Sequence, residues 1–264
     1  MLIDSHCHLD FEAFDEQREW LLEQCVSEGV GAIIVPGVEP EQWSDLVALQ
    51  ESFQTDSCRI GIAAGVHPWW LDGLDRAVAS LQHRLQSFID RYSVVAVGEC
   101  GLDGKRATPM DIQQDFFKAQ IELANANRLP LIVHGYAAHN QVLQCLTELP
   151  AEYGGVIHGF SGSPQLASQY WHKGFYIGVG GTITYERAAK TRRAISAMPL
   201  ESLLLETDAP DMPLDGMQGE PNSPLNLPLI AGQVAQLQGV DLERVAEQTT
   251  ANARRLFGLS QFGL

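Results

Sequence analysis

Residues Leu2-Ile3-Asp4-Ser5-His6-Cys7-His8 open the chain with a short apolar run that ends in two histidines. A run of this kind reads as a β-strand, here 2–6. Alternate residues of a strand face one side, so His6 and His8 can grip one ion together. Cys7 then faces the other way, as a small buried hydrophobe.

The same unit, an apolar run followed by a helical pattern, recurs along the chain. Further strands read at 32–35, 59–66, 94–98, 131–134, 156–158, 175–179 and 202–206. Helical patterns lie between them at 15–28, 41–53, 76–92, 140–148 and 186–197. Thr108-Pro109 opens another, running to Asn127, with Thr108 as N-cap and Pro109 in the first turn; Ser163-Pro164 repeats that start signal. A Pro/Gly/Asp-rich loop, 209–224, leads to helices at 227–238 and 242–257. Eight strands, each followed by a helix, describe a single (β/α)8 TIM barrel of the metal-dependent hydrolase (amidohydrolase-like) type over residues 1–264. Several strands are apolar almost throughout, as parallel strands covered on both faces are. An open doubly wound sheet is the other architecture to weigh, but no GxGxxG follows the first strand.

Composition agrees. The 264 residues are 45% hydrophobic and 19% charged, a globular balance that excludes disorder, collagen-like repeats and long coiled coils. Seventeen Lys+Arg against 33 Asp+Glu give a net charge of −16. Proteins that track nucleic acid present a basic face, so a stable basic nucleic-acid-binding surface is not expected. A phosphate substrate remains compatible if bound cations supply the positive charge. Five scattered cysteines without a CxxC argue against a disulfide framework and for a reducing compartment. Neither a signal peptide nor a membrane-spanning run is visible, and a cytoplasmic location is expected.

The chemistry-bearing residues gather at strand ends. His6 and His8 end the first strand, His67 follows the third, Glu99 the fourth, His134 ends the fifth, His158 the sixth, and Asp208 follows the eighth. Active sites of this fold lie at the C-terminal ends of the strands, so these side chains are expected to meet. Six ligands, His6, His8, Glu99, His134, His158 and Asp208, exceed what one tetrahedral ion needs. Two divalent ions bridged by a carboxylate account for them, with zinc, magnesium or manganese as candidates. Asp208 is also placed to accept a proton from water. Asp4 and Glu206, two residues before His6 and Asp208, either orient ligand histidines or belong to a buried polar network. Asp10 and Asp103 either hydrogen-bond ligands or cap turns.

At these positions the sequence resembles the TatD family of metal-dependent deoxyribonucleases. The motifs are Ile3 to Asp10, Gly65-Val66-His67-Pro68, Gly98-Glu99-Cys100-Gly101-Leu102-Asp103, Val133-His134, His158-Gly159-Phe160-Ser161-Gly162, Glu206-Thr207-Asp208-Ala209-Pro210 and Asn252-Ala253-Arg254-Arg255-Leu256-Phe257. The run from Asp208 to Pro213, with Gly219 and Asn222-Ser223-Pro224, is similar to the YjjV-like branch. The resemblance implies that His6 and His8 hold one ion and His134 and His158 a second. It also implies that Glu99 bridges the two and Asp208 completes the first site. Two departures bear on substrate: Tyr136 stands where the family often has arginine, and Gly104-Lys105-Arg106 replaces an aromatic after Gly-Leu-Asp.

The expected function is a deoxyribonuclease that cuts phosphodiester bonds with metal-activated water at a two-metal site, with Glu99 and Asp208 as the catalytic carboxylates. Its partner would be single-stranded DNA or DNA ends. His67, Lys105 and Tyr136 are the candidate substrate contacts, and Trp69-Trp70 can stack an unpaired base or pack under a rim loop. The alternative is a hydrolase of a small amide, lactone or ester on the same barrel, favoured by the acidity and by Tyr136. A metal-bearing scaffold without turnover is a third reading, opposed by the complete ligand set.

Overall fold

A computed structural model describes residues 1–73 and 77–259. Eight parallel strands lie side by side in chain order: β1 (Leu2–Asp4), β2 (Val30–Pro36), β3 (Arg59–Ala64), β4 (Ala96–Asp103), β5 (Leu131–Tyr136), β6 (Gly155–Ile157), β7 (Phe175–Val179) and β8 (Leu203–Leu205). The barrel closes just past the ends of β1 and β8. There the Ser5 N–H donates to the Leu205 carbonyl at 2.9 Å and the Asp208 N–H to the His6 carbonyl at 2.8 Å. Apart from Arg59 and the outer end of β5, every strand residue is buried. That burial is why the strands read as apolar runs rather than alternating ones.

Helices cover the outside: α1 (Arg18–Ser27), α2 (Trp43–Phe53), α3 (Val78–Ile89), α4 (Met110–Asn127), α5 (His139–Glu148), α6 (Pro164–His172), α7 (Ala189–Ala197), α8 (Leu227–Gln238) and α9 (Leu242–Phe257). One apolar layer packs them onto the strands, with Phe116, Phe117, Leu46 and Tyr170 among its fully buried members. A second gathers Ile3, Ile34, Ile132, Val156, Tyr176 and Leu204 from the strands with Phe257 of α9, so α9 closes the floor of the barrel. Each fully buried large side chain stabilises the fold by about 1.5–3 kcal/mol. Among the described residues, no helix is long and apolar enough to cross a membrane.

Several boundaries differ from the sequence reading. Helix α4 starts one residue later: Pro109 is its N-cap, and the Thr108 hydroxyl donates to Asp72 Oδ1 at 2.7 Å instead of capping. Ser163 does cap α6, accepting the Leu166 N–H at 3.2 Å. Residues 186–188 form a 3-10 turn, so α7 is shorter than expected. The expected start of the third helix, Arg76, lies outside the described residues. Strand β4 runs on through Glu99 to Asp103 rather than ending at Gly98. Between the pairs Val97–Leu131 and Cys100–Val133 it carries one residue more than β5. This bulge lets the strand continue while re-aiming a side chain.

Candidate metal centre

The β4 bulge places Glu99 at the middle of the barrel mouth, 2% exposed. Gly101 makes room for it to approach β5. Its φ is +132°, and a Cβ there would run into the His134 carbonyl. The two oxygens of Glu99 face different groups. Oε2 lies 3.3 Å from His6 Nε2 and 3.7 Å from His8 Nε2. Oε1 lies 2.7 Å from His158 Nε2, 3.2 Å from His134 Nδ1 and 3.3 Å from His67 Nε2. Asp208 joins the first group, with Oδ1 at 3.4 Å from His6 Nε2 and 3.8 Å from His8 Nε2. It sits at φ +57°, a left-handed conformation that aspartate tolerates better than most residues, just beyond β8.

All six expected ligands therefore converge, with His67 beside them. The His6 and His8 Nε2 atoms are 3.3 Å apart, so alternation persists past the end of β1. Cys7 between them is fully buried in the apolar layer.

The environment suits cations. Among the described residues, neither Glu99 nor Asp208 forms an ion pair with lysine or arginine. The ring nitrogens of His134 and His158 approach each other at 3.3 Å, as those of His6 and His8 do. Converging lone pairs around unbalanced buried carboxylates are the donor set of a metal site. His6, His8 and Glu99 group tightly enough to hold an ion, as do His67, Glu99 and His134, or His6, His158 and Glu206. Burial pushes His6 down to about 4 and His67 down to about 3, so both rings are neutral at pH 7. Burial also lowers His8 and raises Asp208. Burial opposes the charge on Glu99, but the imidazoles, His158 first, hold its pKa well below the usual carboxylate range. Burial likewise opposes protonation of His158, yet Glu99 draws it up to about 10. A cation would displace that proton.

The surrounding acids divide. Asp4 is fully buried, but it meets His6 through the backbone: Oδ1 accepts the N–H of His6 at 3.2 Å and of Thr207 at 3.0 Å, and Oδ2 accepts the Thr207 hydroxyl at 2.6 Å. It braces the seam rather than an imidazole. Glu206 accepts the Gly159 N–H and reaches 4.0 Å from His158 Nδ1, in space that a Cβ on Gly178 would fill. Burial pushes Asp4 up to about 7 and Glu206 up to about 8. Asp10 accepts from Gln42 Nε2 at 2.5 Å. Asp103 touches the cluster, with Oδ2 at 3.5 Å from His134 Nε2. It also accepts the Trp69 indole N–H at 2.6 Å and the Lys105 backbone N–H at 2.8 Å. The side chains of Lys105 and Tyr136 stand exposed on the rim, outside the cluster. The Asp103–Trp69 clamp went unread because it joins the end of β4 to the segment after β3, 34 positions apart.

Comparison with known proteins agrees with this geometry. Residues 3–258 match the family model described as TatD related DNase. The chain is 41% identical over 260 residues to a protein of Escherichia coli (strain K12) named as the uncharacterized metal-dependent hydrolase YjjV, covering 97% of this chain and 98% of that one. The crystal structure of that homologue superposes with a TM-score of 0.90 at 40% identity, over 97% and 98% of the two chains. A protein of Dickeya dadantii (strain 3937) named 3'-5' ssDNA/RNA exonuclease TatD is 33% identical, covering 99% of this chain and all 100% of its own.

Proposed function

The chain belongs to the TatD-related DNase family, and from that premise we propose that it is a metal-dependent hydrolase cutting phosphodiester bonds in single-stranded DNA or at DNA ends. One observation carries the reading: Glu99 is shared, with one oxygen toward His6 and His8 and the other toward His134 and His158. His6, His8, Glu99 and Asp208 would hold one divalent ion, and Glu99, His134 and His158 a second. Zinc, magnesium or manganese at these positions would acidify an attacking water and neutralise charge on the phosphate. The cations also supply the positive charge that a chain of net −16 lacks.

The chain's own groups do the rest. Asp208 accepts the water's proton on its carboxylate, whose Oδ1 lies beside the His6 and His8 rings. His67 Nδ1 accepts the Trp69 N–H at 3.1 Å, so the proton of the neutral ring sits on Nε2 and is donated to Glu99 Oε1. His67 thereby fixes the shared carboxylate while bordering the substrate. Glu206 and Asp103 border His158 and His134 from outside. Lys105 and Tyr136 are the rim contacts for substrate.

A second reading, hydrolysis of a small amide, lactone or ester, is favoured by Tyr136. It is 58% exposed at the rim, and a phenol lacks the bidentate fork with which arginine clamps phosphate. Metal is to be quantified in protein purified without chelator. Single-stranded DNA, duplex DNA, RNA and a panel of small esters, lactones and amides are then assayed after chelation and re-addition of each ion. Metal-restored cleavage of single strands supports the nuclease reading. Turnover of the small panel alone overturns it.

A further inference from the structure

We propose that the indole of Trp69, with the guanidinium of Arg106 stacked over it, is a nucleobase platform that seats the base of the nucleotide being cut. The inference rests on the nuclease reading. Trp69 lies in the 3-10 segment Pro68–Gly73 after β3, on the barrel rim, and is 47% exposed. Its orientation is nonetheless fixed. The backbone N–H is held by His67 Nδ1 at 3.1 Å and the indole N–H by Asp103 Oδ2 at 2.6 Å. His67 and Asp103 in turn touch Glu99 at 3.3 Å and His134 at 3.5 Å. The ring is thus one contact removed from the metal ligands, with its only polar atom satisfied and its π surface reaching solvent.

An exposed tryptophan held in one orientation loses little conformational entropy when a planar ligand stacks on it. The Arg106 guanidinium lies 4.7 Å from the ring centroid and donates to the Trp69 carbonyl at 3.4 Å. Among the described residues it forms no ion pair. A base can slide onto the indole beneath it or displace it toward the flanking phosphate. Trp70 lies nearly parallel beside it, 20° between the ring planes with centroids 6.3 Å apart, an offset neighbour that leaves Trp69 47% exposed. Every base has a π face, so such a platform selects unpaired nucleotides without selecting sequence. It also supplies, in one place, recognition that an acidic surface does not.

The test compares an oligothymidylate with the same strand carrying an abasic residue at the cut nucleotide. The intact protein is expected to prefer the base-bearing strand in kcat/KM by about tenfold. In Trp69→Ala that ratio is expected to fall to near one. Trp69→Phe keeps a stacking face but loses the bond to Asp103, and should retain most of the ratio. Arg106→Ala should lower it partially. If Trp69→Ala and Trp69→Phe slow both strands equally and leave the ratio intact, Trp69 only props up Asp103 and the proposal fails. If no nucleic acid is cut, the nuclease reading fails separately, and equilibrium binding of the two strands to metal-loaded protein, read by tryptophan fluorescence, still decides. Equal affinity for both, or quenching undiminished in Trp69→Phe, overturns the platform.

Discussion

Glu99 Oε1 lies 2.7 Å from His158 Nε2, although Glu99 sits in the bulge of β4 and His158 follows β6. Four further imidazoles, of His6, His8, His67 and His134, approach the same carboxylate. Glu99→Gln keeps the shape, removes the charge and turns an amide N–H toward nitrogens that need their lone pairs. Changes to groups merely supporting a ligand cost about 10–100-fold in affinity or activity, and a shared ligand should cost at least as much. Bound metal, measured by elemental analysis, is expected to fall well below the parent's, and metal-restored hydrolysis by about 100-fold or more.

His67 gives the opposite pattern. Its ring is neutral, its Nδ1 is occupied by the Trp69 N–H, and its Nε2 proton points to Glu99. With its proton held toward Glu99, this ring supports the shared carboxylate rather than ligating. His67→Ala is therefore expected to keep its metal content while losing about 10–100-fold in kcat/KM. Loss of one equivalent of metal would show instead that His67 is itself a ligand.

The barrel was legible because strand and helix periods alternate eight times, and the meeting of the histidines with Glu99 and Asp208 because parallel-strand termini share one mouth. What escaped lay in cross-strand register. Glu99 was placed after its strand, whereas the bulge between Val97 and Cys100 keeps it inside β4. Of the two readings of Asp4, a histidine partner or a buried polar network, the structure shows the second, but with Thr207 across the seam, 203 positions away. Thr108-Pro109 carried the start signal of a helix, but the Asp72 carboxylate took the threonine hydroxyl. Each miss is a contact between segments that no local pattern encodes.

The cysteines test the packing. Cys7, Cys25, Cys58, Cys100 and Cys145 are all free and buried, and burial raises every one of these thiols, Cys58 to about 11. Only the thiolate reacts, so at pH 8 the native protein should resist alkylation until denaturant unfolds it. The pH dependence follows. An unfolded thiol releases its proton near ~8.5 and the folded ones release theirs later, so between those values the native state binds more protons. Stability is then full below ~8.5 and falls as pH rises toward about 11. Fast labelling of folded protein at pH 8 would contradict this packing.

Asn252 separates stability from chemistry. It is fully buried on α9, and its amide donates to the carbonyls of Leu200 at 3.0 Å and Leu203 at 2.9 Å, at the entry to β8. Its own oxygen accepts from Gln248 at 2.9 Å. This end of β8 is opposite the one that leads to Asp208, so the asparagine of the terminal motif fastens the floor of the barrel. Asn252→Ala removes two buried hydrogen bonds; the Leu200 carbonyl keeps the Leu203 N–H, and losing the pair costs about 1–3 kcal/mol. The urea midpoint is expected to drop by the equivalent amount, with metal content and kcat per folded molecule retained. A variant of parent stability that had lost its metal would instead tie the floor of the barrel to its mouth, against the separation the geometry shows.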